Sequence, residues 1–184
     1  MSVINEEERA KAFAGDKSCS FYSEALEASA QFRADYETRL NVVKGEDMPF
    51  ERSPDGLIKH IIHEKLNTRE CCIEAYMQFL DPGKASGKHR HLSEEVFYVV
   101  EGSGYDLHWD VKFECDEKCI WEWDEEPTKY EWGQGDFVYI PPYCTHQHVN
   151  GDPDNPARIV VINNKIIKDM GFDWFDQIEN AEGF

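Results

Sequence analysis

The chain has 184 residues, room for one hydrophobic core with a terminal extension, and at this length about 70% of the unfolded surface can be buried without metal or disulfide staples. Its composition, 41% hydrophobic and 13% aromatic against 30% charged, excludes disorder, while a mean hydropathy of -0.64 and short apolar runs exclude a transmembrane helix. Nineteen Lys and Arg against 37 Asp and Glu give a net charge of -18, which repels nucleic-acid phosphates and anionic membrane surfaces and leaves a small molecule as the expected partner.

The N-terminal MSVINEEERAKAFAG has neither the basic nor the apolar region of a secretory signal, so a cytoplasmic protein is expected. In a reducing compartment most of the six cysteines, Cys19, Cys71, Cys72, Cys115, Cys119 and Cys144, should be free thiols. Cys115 and Cys119 are the one pair spaced for a disulfide or a metal, but no second pair completes a zinc set.

Residues 20–40 are predicted to be a helix, because Tyr22, Ala25, Ala28, Phe32, Tyr36 and Leu40 recur at steps of three or four and helix breakers are almost absent. That apolar face should be buried. From about residue 41 the pattern changes to short β-rich runs, NVVK, GLIKHII, CCIEAYMQFL, EEVFYVV, YDLHWDVKFE, CIWEWD, KYEW, DFVYIP, HQHV and RIVVIN, separated by turn residues such as DPGKASG and NGDPDNP. Many short strands without alternating helices predict an all-β sandwich or barrel. The domain plan is thus a helical extension over 1–40, a barrel over 41–168 and a helical tail over 169–184, with Phe172, Phe175 and Ile178 as the tail's apolar points.

Within the β-rich region two stretches carry the chemistry. In GKASGKHRHLSEEVFYVVEG, Gly83 to Gly102, the alternation of a strand puts His89 and His91 on one face, and Glu95 shares the face of Phe97 and Val99 while Glu94 points out. Two neutral imidazoles and a carboxylate on one inward face suit a divalent first-row metal. In GDFVYIPPYCTHQHVN, Gly135 to Asn150, His146, His148 and Asn150 have equal parity after a stiff Pro141-Pro142 turn, and one of these histidines can close the site as a fourth ligand. Between the two stretches, Trp121, Trp123 and Trp132 either line a pocket or pack against the N-terminal helix or a second subunit. Gly102 and Gly104 begin a GxG without the third glycine or a following helix, so a dinucleotide site is excluded.

These stretches resemble the paired motifs of the cupin superfamily. Gly83, five residues, His89-x-His91, three residues, Glu95, six residues and Gly102 match the first motif, and Gly135, five residues, Pro141, His146 and Asn150 match the second. Tyr143 stands where the family has a glycine in the turn. The resemblance implies a double-stranded β-helix, the cupin jelly-roll barrel, here with an N-terminal helical extension and a short C-terminal helix. It also implies one divalent metal ion per chain on His89, His91, Glu95 and His146, with Fe(II) favoured over Mn(II), Ni(II) or Zn(II). The pattern is similar to small gentisate-dioxygenase-like cupins, although gentisate dioxygenases resemble two-cupin chains and use three histidines without the glutamate.

Four protein ligands on a six-coordinate ion leave two positions for a substrate and O₂. The leading expectation is therefore an Fe(II) dioxygenase acting on a small aromatic or keto/enol acid. A non-oxidative lyase or isomerase, and a cupin that binds a small ligand without turnover, stand as alternatives. Tyr76, Tyr98, Tyr105, Tyr139 and Tyr143 are candidate acids or bases for a lyase. His148 is either a support for the metal site or core packing, His60, His63 and His108 are read as structural, and a homodimer is expected.

Overall fold

The computed structural model describes residues 6–13, 19–68, 72–172 and 174–184, which fall into two compact units divided after Arg39. The first holds α1 (Glu6–Phe13) and α2 (Phe21–Tyr36). The second helix fills most of the predicted 20–40 span, and none of its residues is buried, Tyr22 and Phe32 of the predicted apolar face among the exposed ones.

The second unit, Leu40–Phe184, is built of antiparallel strands, as the run of short β segments predicts. One six-stranded sheet has the order β1 (Phe50–Ser53), β2 (Gly56–Ile62), β3 (Ile73–Leu80), β12 (Ala157–Asn164), β5 (Glu95–Glu101) and β10 (Phe137–Ile140). A five-stranded sheet has the order β13 (Phe175–Glu179), β4 (Lys88–His91), β11 (Thr145–Asn150), β6 (Ser103–Trp109) and β9 (Thr128–Gly133). β7 (Val111–Cys115) and β8 (Cys119–Trp123) form a separate ribbon.

The inner faces of the two large sheets make the core. Along β5 burial alternates, with Glu95, Phe97 and Val99 inside, and β12 does the same with Ala157, Ile159 and Val161. These meet Leu80, Ile140, Cys144 and Trp132 in one cluster, where Phe97 stands edge-on to Trp132. Full burial of a side chain such as Phe97 is worth about 1.5–3 kcal/mol, so this apolar half carries the stability that the polar half of the interior cannot.

The C-terminal segment departs from expectation. A short helix, α3, occupies only Ile166–Asp169, and the remainder of the predicted helical tail over 169–184 contains a strand, β13, that pairs with β4. The spacing of Phe172, Phe175 and Ile178 reads as helical, but Phe175 instead stacks on the rings of His89 and His91 across the strand pair, and Gly171 at φ 89° ends the helix before it can continue. Tertiary pairing has overridden a weak local periodicity.

Two turns deserve their residues. Gly102 adopts φ 87° and its missing Cβ would lie 2.7 Å from the Ala157 Cβ. Tyr143 adopts φ 62°, the conformation that the glycine of the resembled motif would supply without strain, and it is held there by edge contacts with Trp121 and Trp123 and by Arg90 over its ring. The turn is retained although its usual residue is not. Cys115 and Cys119, the one pair spaced for a disulfide or a metal, are joined as a disulfide at the end of the β7–β8 ribbon. Cys19, Cys72 and Cys144 are free, and Cys71 lies outside the described residues.

Candidate metal centre

The strands bring His89, His91, Glu95 and His146 together. Each offers one ligand atom, these atoms all lie within 4.8 Å of one another, and all four residues are buried. β4 supplies His89 and His91 on one face, β11 pairs beside it with His146 opposite His89, and Glu95 enters from the first position of β5 on the facing sheet. The alternation read from the sequence holds at the glutamates. Glu95 is fully buried, whereas Glu94 turns away and accepts a hydrogen bond from Asn164 Nδ2 at 3.1 Å.

A second layer aims these side chains. His91 Nδ1 stands 2.7 Å from the Ser93 carbonyl and His146 Nδ1 3.1 Å from the Cys144 carbonyl, so in each ring Nε2 is left for the centre. His89 Nδ1 faces Asp55 Oδ1 at 3.3 Å, and the other Asp55 oxygen accepts from Gln78 Nε2 at 2.7 Å. Glu95 Oε2 lies 3.3 Å from His91 Nε2, and its Oε1 lies 3.8 Å from His146 Nε2.

The donor set fits a divalent cation. His146 Nε2 and Glu95 Oε1 are buried without a hydrogen-bond partner among the described residues, a state that costs about 1–3 kcal/mol per group and that an ion among the four donors would relieve. Three imidazoles and one carboxylate are also the mixture that first-row transition metals favour. The electrostatics agree. Burial works to raise the Glu95 carboxyl, but His148, His91 and His146 outweigh it and hold the group well below the usual range. Burial, and then the neighbouring His89, keep His146 well below the usual histidine value, so its lone pair is available.

A pocket of about 500 Å³ reaches His89 and His91. Ile58, Tyr76 and Phe175 give it apolar walls, Lys165 and Lys168 bring positive charge, and Asp55 and Glu74 bring negative charge. Of the five tyrosines proposed as acids or bases, Tyr76 alone is part of this lining, and burial, then the charges of Glu95, Asp55 and Glu74, push its phenol well above the ordinary range.

His148 is wholly buried and is not one of the four clustered donors. Its Nδ1 faces both oxygens of Asp106, at 3.1 and 3.0 Å, and its Nε2 stands 3.3 Å from Glu95 Oε1 without hydrogen-bond alignment. Trp132 is neither pocket wall nor surface: it is in the core and donates Nε1 to Asp106 at 3.0 Å. Trp121 and Trp123 pack on Tyr143, outside the pocket lining, and Arg90 covers the Trp123 ring. His63 faces Glu74 at 3.1 Å and His60 faces Glu51 at 2.6 Å, with His60 also lining the pocket. Asn150 is structural, with Nδ2 donating to three carbonyls, those of Leu80, Asp81 and Asn155.

Sequence reasoning missed Asp55 and Asp106. Asp106 had a signal, since it shares strand parity with His108, but Asp55 sits in a Pro-Asp-Gly turn that reads only as a turn.

Comparison with known proteins follows the same line. The family described as auxin binding protein matches residues 39–180. A 5-aminosalicylate 1,2-dioxygenase from a Comamonas species is 30% identical over 77 residues, 42% of this chain and 16% of that protein's length. Among solved structures, oxalate decarboxylase from Bacillus subtilis matches with a TM-score of 0.50 at 16% identity, over 70% of this chain and 31% of that one. The oxalate decarboxylase of Lactobacillus farciminis, solved as a formate complex, gives 0.50 at 18% identity over 74% and 33%. At these identities the structural likeness speaks for the fold, a cupin barrel. Among the described residues no helix is long and apolar enough to cross a membrane.

Proposed function

The chain belongs to the cupin family described as auxin binding protein, and from that premise we propose that it is a metal-dependent enzyme, an Fe(II) dioxygenase acting on a small aromatic or keto/enol acid. The observation that carries this reading is the buried three-histidine, one-glutamate cluster with an apolar pocket reaching two of its histidines. The dioxygenase part of the reading leans on the Comamonas relative, of which this chain matches a minor share.

When bound, a divalent ion supplies Lewis acidity toward a substrate oxygen, and Fe(II) adds reactivity toward O₂. The chain's own residues do the rest. Ile58 and Phe175 give a planar substrate apolar walls, and Lys165 and Lys168 attract its carboxylate into a protein whose net charge of -18 otherwise repels it. Lys165 is steadied for this by Glu64 at 2.9 Å. The Ser93 and Cys144 carbonyls hold the imidazoles of His91 and His146 in place and the Asp55 carboxylate faces that of His89, so the geometry is set before substrate arrives.

A second reading, a lyase or isomerase, is favoured by Tyr76, whose phenol lines the same pocket and keeps its proton, so that it can donate a hydrogen bond to a substrate anion. The two are separated by loading the purified protein with Fe(II), Mn(II) or Zn(II) and following product formation and O₂ uptake over a panel of hydroxylated aromatic and keto acids. A dioxygenase works with Fe(II) and stops both under anaerobiosis and with Zn(II). Turnover that persists with Zn(II) in the absence of O₂ overturns the dioxygenase reading and leaves the lyase or isomerase. Lys168→Ala should raise KM for an acidic substrate in either case.

A further inference from the structure

We propose that His148 is a positioning residue for Glu95, held to that task by Asp106 and, behind it, by Trp132; the proposal rests on the reading that the four clustered donors hold a metal ion. His148 is fully buried, yet a histidine that merely filled the core would find partners for both ring nitrogens or face an apolar surround. Here one nitrogen is bound to a carboxylate, and the other, lacking any hydrogen bond among the described residues, faces the proposed ligand Glu95.

The arrangement behind His148 is built for rigidity. Asp106 lies directly across the β6–β11 ladder from His148, so the backbone register fixes their separation. Its carboxylate is fully buried, a costly state unless its oxygens are occupied, and they are: Trp132 Nε1 donates at 3.0 Å, His148 Nδ1 lies at 3.0 and 3.1 Å and His108 Nε2 at 3.3 Å. Phe97 stands edge-on to the His148 ring with centroids 4.9 Å apart, and Trp132 stands edge-on to Phe97. The ring therefore has little freedom to tilt.

What this does is decide how Glu95 presents its two oxygens. Oε2 faces His91 and Oε1 faces both His148, at 3.3 Å, and His146, at 3.8 Å. A glutamate has three side-chain torsions, and without the polar edge of His148 beside Oε1 the carboxylate could turn its oxygens away from the three imidazoles. Partners that orient a ligand in this way are worth about 10- to 100-fold in metal affinity.

The test uses the full chain loaded with Co(II), whose visible absorption reports ligand geometry, with affinity measured by competition against a chelator. His148→Phe fills the volume without a polar edge, His148→Gln returns a polar edge to it, and Asp106→Asn removes the charge that holds the ring at almost unchanged size. The expected result is that His148→Phe weakens Co(II) binding about 10- to 100-fold and shifts the absorption bands. His148→Gln should recover most of both, and Asp106→Asn should shift the bands with a smaller loss of affinity.

Circular dichroism of the metal-free variants reports folding. If His148→Phe does not fold, the near-isosteric Asp106→Asn decides alone. Wild-type affinity and spectrum in a folded His148→Phe or Asp106→Asn overturn the proposal, as does a His148→Gln variant as impaired as the phenylalanine. If the wild-type chain itself takes up no Co(II), the metal reading fails and this proposal with it, an outcome distinct from a wild type that binds and variants that do not differ.

Discussion

Exchanging Glu95 for Gln, with Glu94→Gln as its control, tests the register on which the site depends. Glu95 is fully buried among His91, His146 and His148, and Glu94, one residue earlier, is bonded to Asn164 instead. An ion that binds the folded chain alone stabilises it by about 2.7 kcal/mol when present at 100 times its Kd. For a protein of this size that corresponds to a rise in Tm of about 5–11 °C. Loss of a direct ligand should cost at least the about 100-fold at the top of the range for supporting residues, which brings the same metal concentration near Kd and leaves about 0.4 kcal/mol, roughly 1 °C.

The assay is thermal unfolding with and without added Mn(II) or Zn(II), each protein serving as its own reference. That comparison removes any change the substitution makes to the metal-free form. Glu94→Gln should keep the full shift and Glu95→Gln should lose nearly all of it. A full shift in Glu95→Gln with loss in Glu94→Gln would mean that the strand is displaced by one residue, and no shift in the wild type would remove the ion from the account.

Other expectations follow from single features. Burial, and then Asp110, push the Cys144 thiol far above its ordinary value of 9.0, so the folded chain keeps a proton that the unfolded chain gives up. Its contribution is complete below pH 9.0 and falls by about 1.4 kcal/mol per pH unit above it; urea unfolding from pH 8 to 11 should show that slope diminished in Cys144→Ala, and an identical slope would contradict the assignment. Gly102→Ala should destabilise the fold by about 2 kcal/mol or more, through the left-handed backbone and a Cβ 2.7 Å from that of Ala157, and a change under 0.5 kcal/mol in the same assay would show that the turn relaxes. A homodimer is expected because β10 is an open sheet edge that exposes Phe137 and Tyr139, so light scattering should give twice 21.4 kDa; a monomer mass at every concentration contradicts it.

The core of the site was legible because strand alternation is a strict rule. Two histidines two residues apart share a face, and the adjacent glutamates must then divide, one inward and one outward, as Glu95 and Glu94 do. What could not be read was whatever depends on distant segments meeting. Asp55 reaches His89 from a turn 34 positions earlier in the chain, and no local pattern in the sequence marks it. The tail misled for a related reason, since the ladder that makes β13 a strand is supplied by β4, whose residues lie far from it in sequence. Tyr143 shows the converse, a residue with the wrong local preference kept in a left-handed turn by Trp121, Trp123 and Arg90. Asp106 lies between these cases: its inward parity was readable, but its role appears only with His148 placed across from it.

The most direct measurement is elemental analysis of the full chain purified without added metal and then equilibrated with Fe(II), Mn(II), Ni(II) or Zn(II), alongside His89→Ala and His146→Ala. The account predicts one divalent ion per chain in the wild type, with most of it lost in either variant. A wild type that neither carries nor takes up any of these metals, or a His146→Ala variant that binds as well as the wild type, contradicts it.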